Sequence, residues 1–419
     1  MEQERQKALL VGANIDFEKD FDEKMDELER LANACEIDVV SREIQNLFEI
    51  NRALYIGKGK AEEISKIADT LNVDLVIFNN ELSPTQLRNL QDIINCSVLD
   101  KTSLILEIFS KRARTKEAKL QVEVARLEYM LPRLVGMRTN LGRQGAGAGL
   151  SNKGAGEKKL ELDRRRIESK LTELKKELEE LSKDREVQRK RREESDLPLV
   201  SLVGYTNAGK SSLMNYMIDR FVKDDEKRVL EKDMLFATLE TSVRKIELED
   251  NRKFLLSDTV GFISDLPHDL VKAFRSTLEE IKNADLLLEV IDYSDPNFYD
   301  HIQVTKQTLE KLGVIDIPII YVYNKSELML DKLPLIDENE IYLSIKQKRG
   351  MNELIDMVVD RLFKNYKRCN MLIPFSEGSV LSYLMDNANV LNTEYTENGT
   401  LIDIECRLSQ YNKYKEYVK

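Results

Sequence analysis

The sequence has no tryptophan, only two histidines and only four cysteines in 419 residues. With His268 and His301 alone to draw on, chemistry built on imidazole bases or histidine-rich metal sites is disfavoured. Cys35, Cys96, Cys369 and Cys406 are scattered and show no C-x-x-C spacing. That pattern argues against zinc and against a disulfide framework, and it fits a reducing cytosol. No run approaches the ~18 uninterrupted apolar residues of a membrane span, and the mean hydropathy is −0.42. The opening MEQERQKALLVGANI is charged and passes straight into a strand pattern, so a signal peptide is not expected. The expectation is a soluble cytoplasmic protein of roughly two to four domains, without a membrane span.

Charge is present in excess, but unevenly. The net charge is −11, which taken alone would argue against a nucleic-acid partner. Residues 111–170 run the other way, with 16 basic and 7 acidic residues, a local balance of +9. One basic segment in an acidic chain is a candidate docking surface for a polyanion.

Apolar periodicity divides the chain into four parts and gives an α/β fold class. Residues 1–110 alternate strand and helix: KALLVGANI, then a charged helix, then ALYIGKGKAEEI as strand, glycine turn and helix, then DLVIFNN, SPTQLRNLQDIIN and SVLD. Ser83 and Pro84 stand where a helix cap and a first-turn proline belong. Residues 111–196 form a basic antiparallel helical hairpin, whose first helix is expected to end at Pro132. Six of the 17 glycines lie between Gly142 and Gly156, and the second helix carries a coiled-coil-like seam from Leu160 to Leu181. Arg138, Arg143, Lys153, Lys158 and Lys159 flank those glycines, and a cationic tip suits contact with RNA. Residues 197–366 return to α/β alternation, and residues 367–419 form a small α+β tail without a chemical motif.

The third part carries the chemistry. GYTNAGKSS, residues 204–212, fits G-x-x-x-x-G-K-[ST] between the apolar strand LPLVSLV and a helical pattern. In that context it is a phosphate loop: Gly204, Tyr205, Thr206, Asn207, Ala208, Gly209, Lys210, Ser211 and Ser212 would wrap phosphates with inward N–H groups and a helix N-terminus. Lys210 supplies a cation to the outer phosphates, and the Ser211 hydroxyl is placed to ligate Mg²⁺. KFLLSDTVGF then delivers Asp258 and Gly261 as D-x-x-G, the carboxylate for Mg²⁺ and the glycine N–H for the γ-phosphate. Between the two motifs, DMLFATLETSV offers Phe236 to the nucleotide and Thr238 as the residue that closes over Mg²⁺. Lys210, Thr238 and Gly261 are the expected catalytic groups. IPIIYVYNKSE ends a strand with Asn324, Lys325 and Glu327 in the pattern N-K-x-D, with glutamate for aspartate, and Ser344, Ile345 and Lys346 stand near the S-A-K loop that meets a guanine oxygen. GTP/GDP and Mg²⁺ are therefore the expected ligands. Phe262 stands where many signalling GTPases place a water-orienting glutamine, so unassisted hydrolysis should be about 10⁻³ s⁻¹ or slower and a partner must complete the site. Arg275 is a distant candidate for an arginine supplied by the chain itself.

These residues taken together are similar to the HflX family of ribosome-associated GTPases. DTVGFISDLPHDLVKAFRSTLEE resembles its second switch, LFATLET its first, and YIGKGKAEEI, FNNELSPTQLRNLQ and RARTKEAKLQVEVARLEYMLPRL its N-terminal half; the resemblance spans roughly residues 1–365. It implies a monomeric GTPase that binds the 50S subunit, with the hairpin reaching the peptidyl-transferase region of the 23S rRNA. It further implies that stalled 70S ribosomes are split or rescued under stress. The chain has Lys153 where the family's loop has arginine, lacks the loop's proline, and carries Glu327 for aspartate. Two rivals stand beside this reading: a nucleotide-gated ribosome assembly protein without splitting activity, and an RNA-dependent ATPase or GTPase.

Overall fold

KALLVGANI becomes β1 (Lys7–Ile15), with Ala8 to Asn14 buried on both faces, as a central parallel strand requires. The computed structural model describes residues 5–18, 21–141, 150–194, 197–222, 236, 242–264, 279–364 and 366–419, and side chains except those of 134–160 and 184–196. The chain divides into two compact units, the first Met1–Glu186 with Met234–Leu239 and Asp265–Arg275, the second the remainder.

In the first unit four parallel strands lie in the order β2-β1-β3-β4, with β2 Asp38–Leu47, β3 Leu75–Phe78 and β4 Ser97–Asp100. Helices α1 (Phe21–Ala34), α2 (Lys58–Leu71), α3 (Pro84–Ile94) and α4 (Lys101–Arg112) connect or follow them. The Ser83 cap is realised as a capping box with Gln86, and Pro84 opens α3. One expectation fails here. The second strand is DVVSREIQNL, not the ALYIG stretch, which forms a turn closed by an isolated Asn51–Tyr55 bridge. As an edge strand β2 alternates exposed and half-buried residues, so it lacks the apolar run that marks its buried neighbours.

The hairpin comprises α5 (Lys116–Leu141) and α6 (Leu150–Glu194). Val124, Leu171 and Leu174 form its core, flanked by Leu120, Leu127, Leu131, Ile167 and Leu178. Ion pairs Lys116–Glu177 (2.5 Å) and Lys175–Glu128 (2.6 Å) bridge the two helices. The expected stop at Pro132 is not a stop: α5 carries the proline inside. Arg133, whose guanidinium lies 3.2 Å from the Tyr129 ring centre, donates to the Tyr129 carbonyl (2.9 Å) in the turn that a proline disturbs. The helices also take in much of the expected glycine loop, including Arg138, Lys153, Lys158 and Lys159; residues 142–149, with Arg143, lie outside the described residues.

In the second unit a seven-stranded sheet has the order β10-β11-β9-β8-β5-β7-β6. Its strands are β5 (Leu199–Val203), β6 (Ser242–Glu247), β7 (Lys253–Asp258), β8 (Leu286–Asp292), β9 (Ile319–Asn324), β10 (Leu335–Asp337) and β11 (Glu340–Tyr342). The central strands are parallel; β6 and β10 are antiparallel edges. Helices α7 (Lys210–Phe221), α8 (Phe298–Leu312) and α9 (Met351–Leu362) belong to this layer. The tail folds as expected: β12 (Lys367–Ile373), β14 (Gly399–Cys406) and β13 (Asn389–Thr396) make a three-stranded antiparallel sheet, with α10 (Gly378–Asn387) and α11 (Leu408–Lys413).

Glu289 on β8 is 2% exposed, and its Oε1 has no hydrogen-bond partner. Burial pushes its carboxyl up to about 8 from 4.5, with Thr305 as its hydrogen-bond partner. Between those values the folded chain keeps a proton that the unfolded chain has released, so stability falls as pH rises through this window and levels off above about 8. Glu289→Gln removes that dependence. Urea unfolding across this window should show the variant gaining on the native chain as pH rises, by on the order of 3 kcal/mol at pH 7. A constant difference between them would contradict the assignment.

Candidate functional site

The carboxyl end of β5 feeds directly into the loop Gly204–Gly209, and α7 begins at Lys210. The buried Lys210 ammonium donates to the carbonyls of Gly204 (2.9 Å) and Tyr205 (2.6 Å), which curls the loop around it. Burial pushes this ammonium down to about 8, against the pull of the Asp258 carboxylate, and a bound phosphate would oppose that cost further. Gly209 caps the helix with φ of 109°, a left-handed conformation, and a Cβ there would run into the Asn324 amide. Ala208 is buried, Asn207 stands in the left-handed region at φ 63°, and Ser212 is half-buried. Thr206 is buried, and its Oγ1 has no hydrogen-bond partner.

Asp258 closes β7 and is fully buried. The Ser211 hydroxyl donates to its Oδ2 at 2.9 Å, so the two hard oxygen donors expected for Mg²⁺ stand side by side, the donor chemistry that ion prefers. Gly261 packs against the phosphate loop so closely that a Cβ would lie 2.7 Å from Thr206 Cγ2 and 3.0 Å from Lys210 Nζ. The next residue is zipped to the same loop: Phe262 N–H donates to the Gly204 carbonyl (3.1 Å), and Thr206 N–H donates to the Phe262 carbonyl (2.8 Å). The Phe262 ring is 2% exposed.

The opposite wall comes from the end of β9. Asn324 is buried; its Nδ2 donates to the Ala208 carbonyl (2.9 Å), and its Oδ1 accepts from the Ile345 amide (3.1 Å). Lys325, at φ 59°, is held by Asp292 at the end of β8 (2.6 Å). Glu327 is half-buried, and its Oε2 is buried with no hydrogen-bond partner. Ser344 is buried, its hydroxyl accepting from Gln347 N–H (3.0 Å), while Lys346 is exposed.

Most of the expected residues therefore meet at the carboxyl ends of β5, β7 and β9. Thr238 and Arg275 lie outside the described residues. Phe236 is grouped with the first unit, where its buried ring meets Phe109 edge-on at 4.7 Å. The role of Asp292 and the contacts that Tyr205 makes outside the phosphate loop were not anticipated from the sequence. Asp292 closes an otherwise ordinary apolar strand, and only the fold shows that it anchors Lys325. Tyr205 is a clamp: its hydroxyl accepts from Ser264 N–H (2.9 Å) and shares a hydrogen bond with Ser264 Oγ (2.9 Å), while its ring stacks on His301 at 3.8 Å.

Among known proteins, residues 22–110 match the family described as "GTP-binding GTPase N-terminal", 112–192 "GTP-binding GTPase Middle Region" and 199–325 "50S ribosome-binding GTPase". The chain is 42% identical over 411 residues to a protein named GTPase HflX from Caldanaerobacter subterraneus subsp. tengcongensis, covering 97% of this chain and 93% of that one. It is 36% identical over 430 residues to a GTPase HflX from Akkermansia muciniphila, covering 99% and 97%. A crystal structure of a GTP-binding protein from the hyperthermophilic archaeon Sulfolobus solfataricus in complex with GDP is 25% identical, covers 85% of this chain and 98% of that one, and has a TM-score of 0.43.

Gly209 and Gly313 both have positive φ, but a Cβ at Gly313 would meet nothing within 4 Å. Gly313→Ala should lose about 1 kcal/mol of stability, the cost of a left-handed residue with a Cβ, and Gly209→Ala should lose more, because its Cβ also clashes with Asn324. Only Gly209→Ala should also lose GDP affinity, by about tenfold or more, because the Asn324 tie must shift. Calorimetric titration with GDP distinguishes the two; equal affinities would contradict the role given to Asn324. Asn324→Ala removes two hydrogen bonds at once and should weaken GDP by about 10- to 100-fold.

Proposed function

The chain belongs to the HflX family of GTPases, and from that premise we propose that it is a GTP-driven factor which engages the large ribosomal subunit and separates stalled 70S ribosomes. It is a GTP-hydrolysing enzyme whose GTPase domain is of a ribosome-binding type. Lys210 and the loop N–H groups would hold the phosphates, and Ser211 and Asp258 would hold Mg²⁺, with Thr238 closing the shell. When bound, Mg²⁺ offsets charge on the β- and γ-phosphate oxygens. Water attacks the γ-phosphorus, the bond to the bridging oxygen breaks, and GDP and phosphate leave. Lys210 steadies the negative charge that shifts onto those oxygens.

The observation that carries the reading is the packing of Gly261 and Phe262 against Thr206 and Lys210. The segment that senses the γ-phosphate is attached to the loop that binds it, so nucleotide state and segment position are linked. The buried Phe262 ring has no group with which to orient water, and in this reading an external partner completes hydrolysis. The ribosome is that partner in this account. The basic hairpin, with Arg138, Arg143, Lys153, Lys158 and Lys159, supplies the RNA contact toward the peptidyl-transferase region of the 23S rRNA. Binding as a monomer in the cytoplasm is part of the proposal.

Guanine selectivity rests on Glu327. A carboxylate oxygen that is buried without a partner is an acceptor kept for a donor, and guanine presents its ring N–H and exocyclic amine together. Glu327→Ala should narrow the preference for GTP over ATP by about tenfold or more in competition binding.

Light scattering from 70S ribosomes tests the splitting step. Adding the protein with a non-hydrolysable GTP analogue should lower the scattering, and GDP should leave it unchanged. Subunit binding without any drop would favour the rival, an assembly factor that does not split.

A further inference from the structure

We propose that the crevice at the carboxyl end of the N-terminal sheet is a second ligand site, one that takes a small uncharged molecule rich in N–H or O–H donors. The strand order β2-β1-β3-β4 fixes where to look. From β1 the chain moves outward to β2, then crosses back to place β3 on the other side of β1. The connections therefore diverge between β1 and β3, and open α/β sheets bind ligands outside the strand ends at such a switch point. A cavity of about 240 Å³ lies there, lined in part by Ala13, Tyr55, Asn79, Asn80, Lys101 and Thr102.

The walls are built rather than incidental. Asn80 continues the β1–β3 ladder past the end of β3: Ala13 N–H donates to its Oδ1 (2.9 Å), and its Nδ2 donates to the Ala13 carbonyl (3.3 Å). Gln86 donates to the Asn51 carbonyl (3.1 Å), which ties the turn bearing Tyr55 to the loop bearing Asn79. Tyr55 is itself held at φ 66°, unusual for a bulky residue. The two N-terminal stretches that the GTPase site leaves unexplained, YIGKGKAEE and FNNELSPTQ, both contribute to this one crevice.

The chemistry of the lining selects the ligand. Asn79 is 9% exposed, and its Oδ1 is buried with no hydrogen-bond partner. Leaving such an acceptor unmet costs about 1–3 kcal/mol, which a donor from a ligand would recover. The two nearby ammonium groups are neutralised: Lys24 pairs with Glu18 (2.6 Å) and Lys101 with Glu27 (2.8 Å). Glu81 adds a further carboxylate at the lining. A phosphate would find acidic groups and already-paired cations, whereas a hydroxyl or amide donor finds acceptors.

Saturation-transfer NMR on the full chain, with GDP and Mg²⁺ saturating the GTPase site, tests this. Glucose and uridine serve as neutral probes, glucose 6-phosphate and uridine 5′-monophosphate as their charged counterparts. Transfer to a neutral probe should exceed transfer to its phosphorylated form. Asn79→Leu should reduce it by about fivefold or more, the loss of one hydrogen bond. Ile15→Phe, which enlarges an apolar side chain that lines the crevice, should do the same, with GDP affinity unchanged in both variants. No transfer to either neutral probe, stronger transfer to the phosphorylated forms, or undiminished transfer in the folded variants would overturn the proposal.

Discussion

The Asn324 carboxamide donates to Ala208 in the phosphate loop and accepts from Ile345 in the last loop of the domain, so one side chain ties together the segments that would surround a base and its phosphates. Its neighbours depend on that tie. Gly209 has to be glycine because the amide occupies the space of a Cβ. Lys325 leaves the strand in a left-handed conformation and is caught by Asp292. Lys210 then closes the loop from within by donating to two of its carbonyls. These are hydrogen bonds within a buried setting, where each group left unmet would cost about 1–3 kcal/mol. The cradle is thereby held by the protein's own hydrogen bonds.

The same economy extends to the segment after Asp258. Its backbone is bonded to the phosphate loop through Phe262, and Tyr205 holds Ser264 from the loop side. A group arriving at the γ-phosphate position would meet this contact directly, which is the basis of the proposed link between nucleotide state and segment position. The buried phenyl ring carries no group that could orient water, and among the described residues none takes that place.

Much of this site was legible in the sequence because phosphate and base recognition impose fixed spacings on particular residue types. G-x-x-x-x-G-K-S, D-x-x-G and N-K-x-E each bring their own backbone geometry, and all three lie where a strand ends. Asp292 and the Tyr205–Ser264–His301 cluster were not legible, since they are joined by sheet order and not by spacing along the chain. The fold shows the same division. Buried strands such as LVIF announce themselves, whereas the edge strand Asp38–Leu47 resembles a polar connector. Pro132 signals a helix end that tertiary contacts of Arg133 override. Glu289, a carboxyl inside a β-strand, is visible in the sequence, but its burial and its raised proton affinity follow only from the packed sheet.

The central claim is that an incomplete, guanine-reading GTPase site is completed by the large ribosomal subunit. Steady-state hydrolysis of GTP and of ATP by the purified protein, with and without 50S subunits, tests it most directly. The account predicts slow turnover alone and stimulation by 50S of about 10²-fold or more, confined to GTP. Turnover unchanged by 50S, or ATP hydrolysed as fast as GTP, would contradict it.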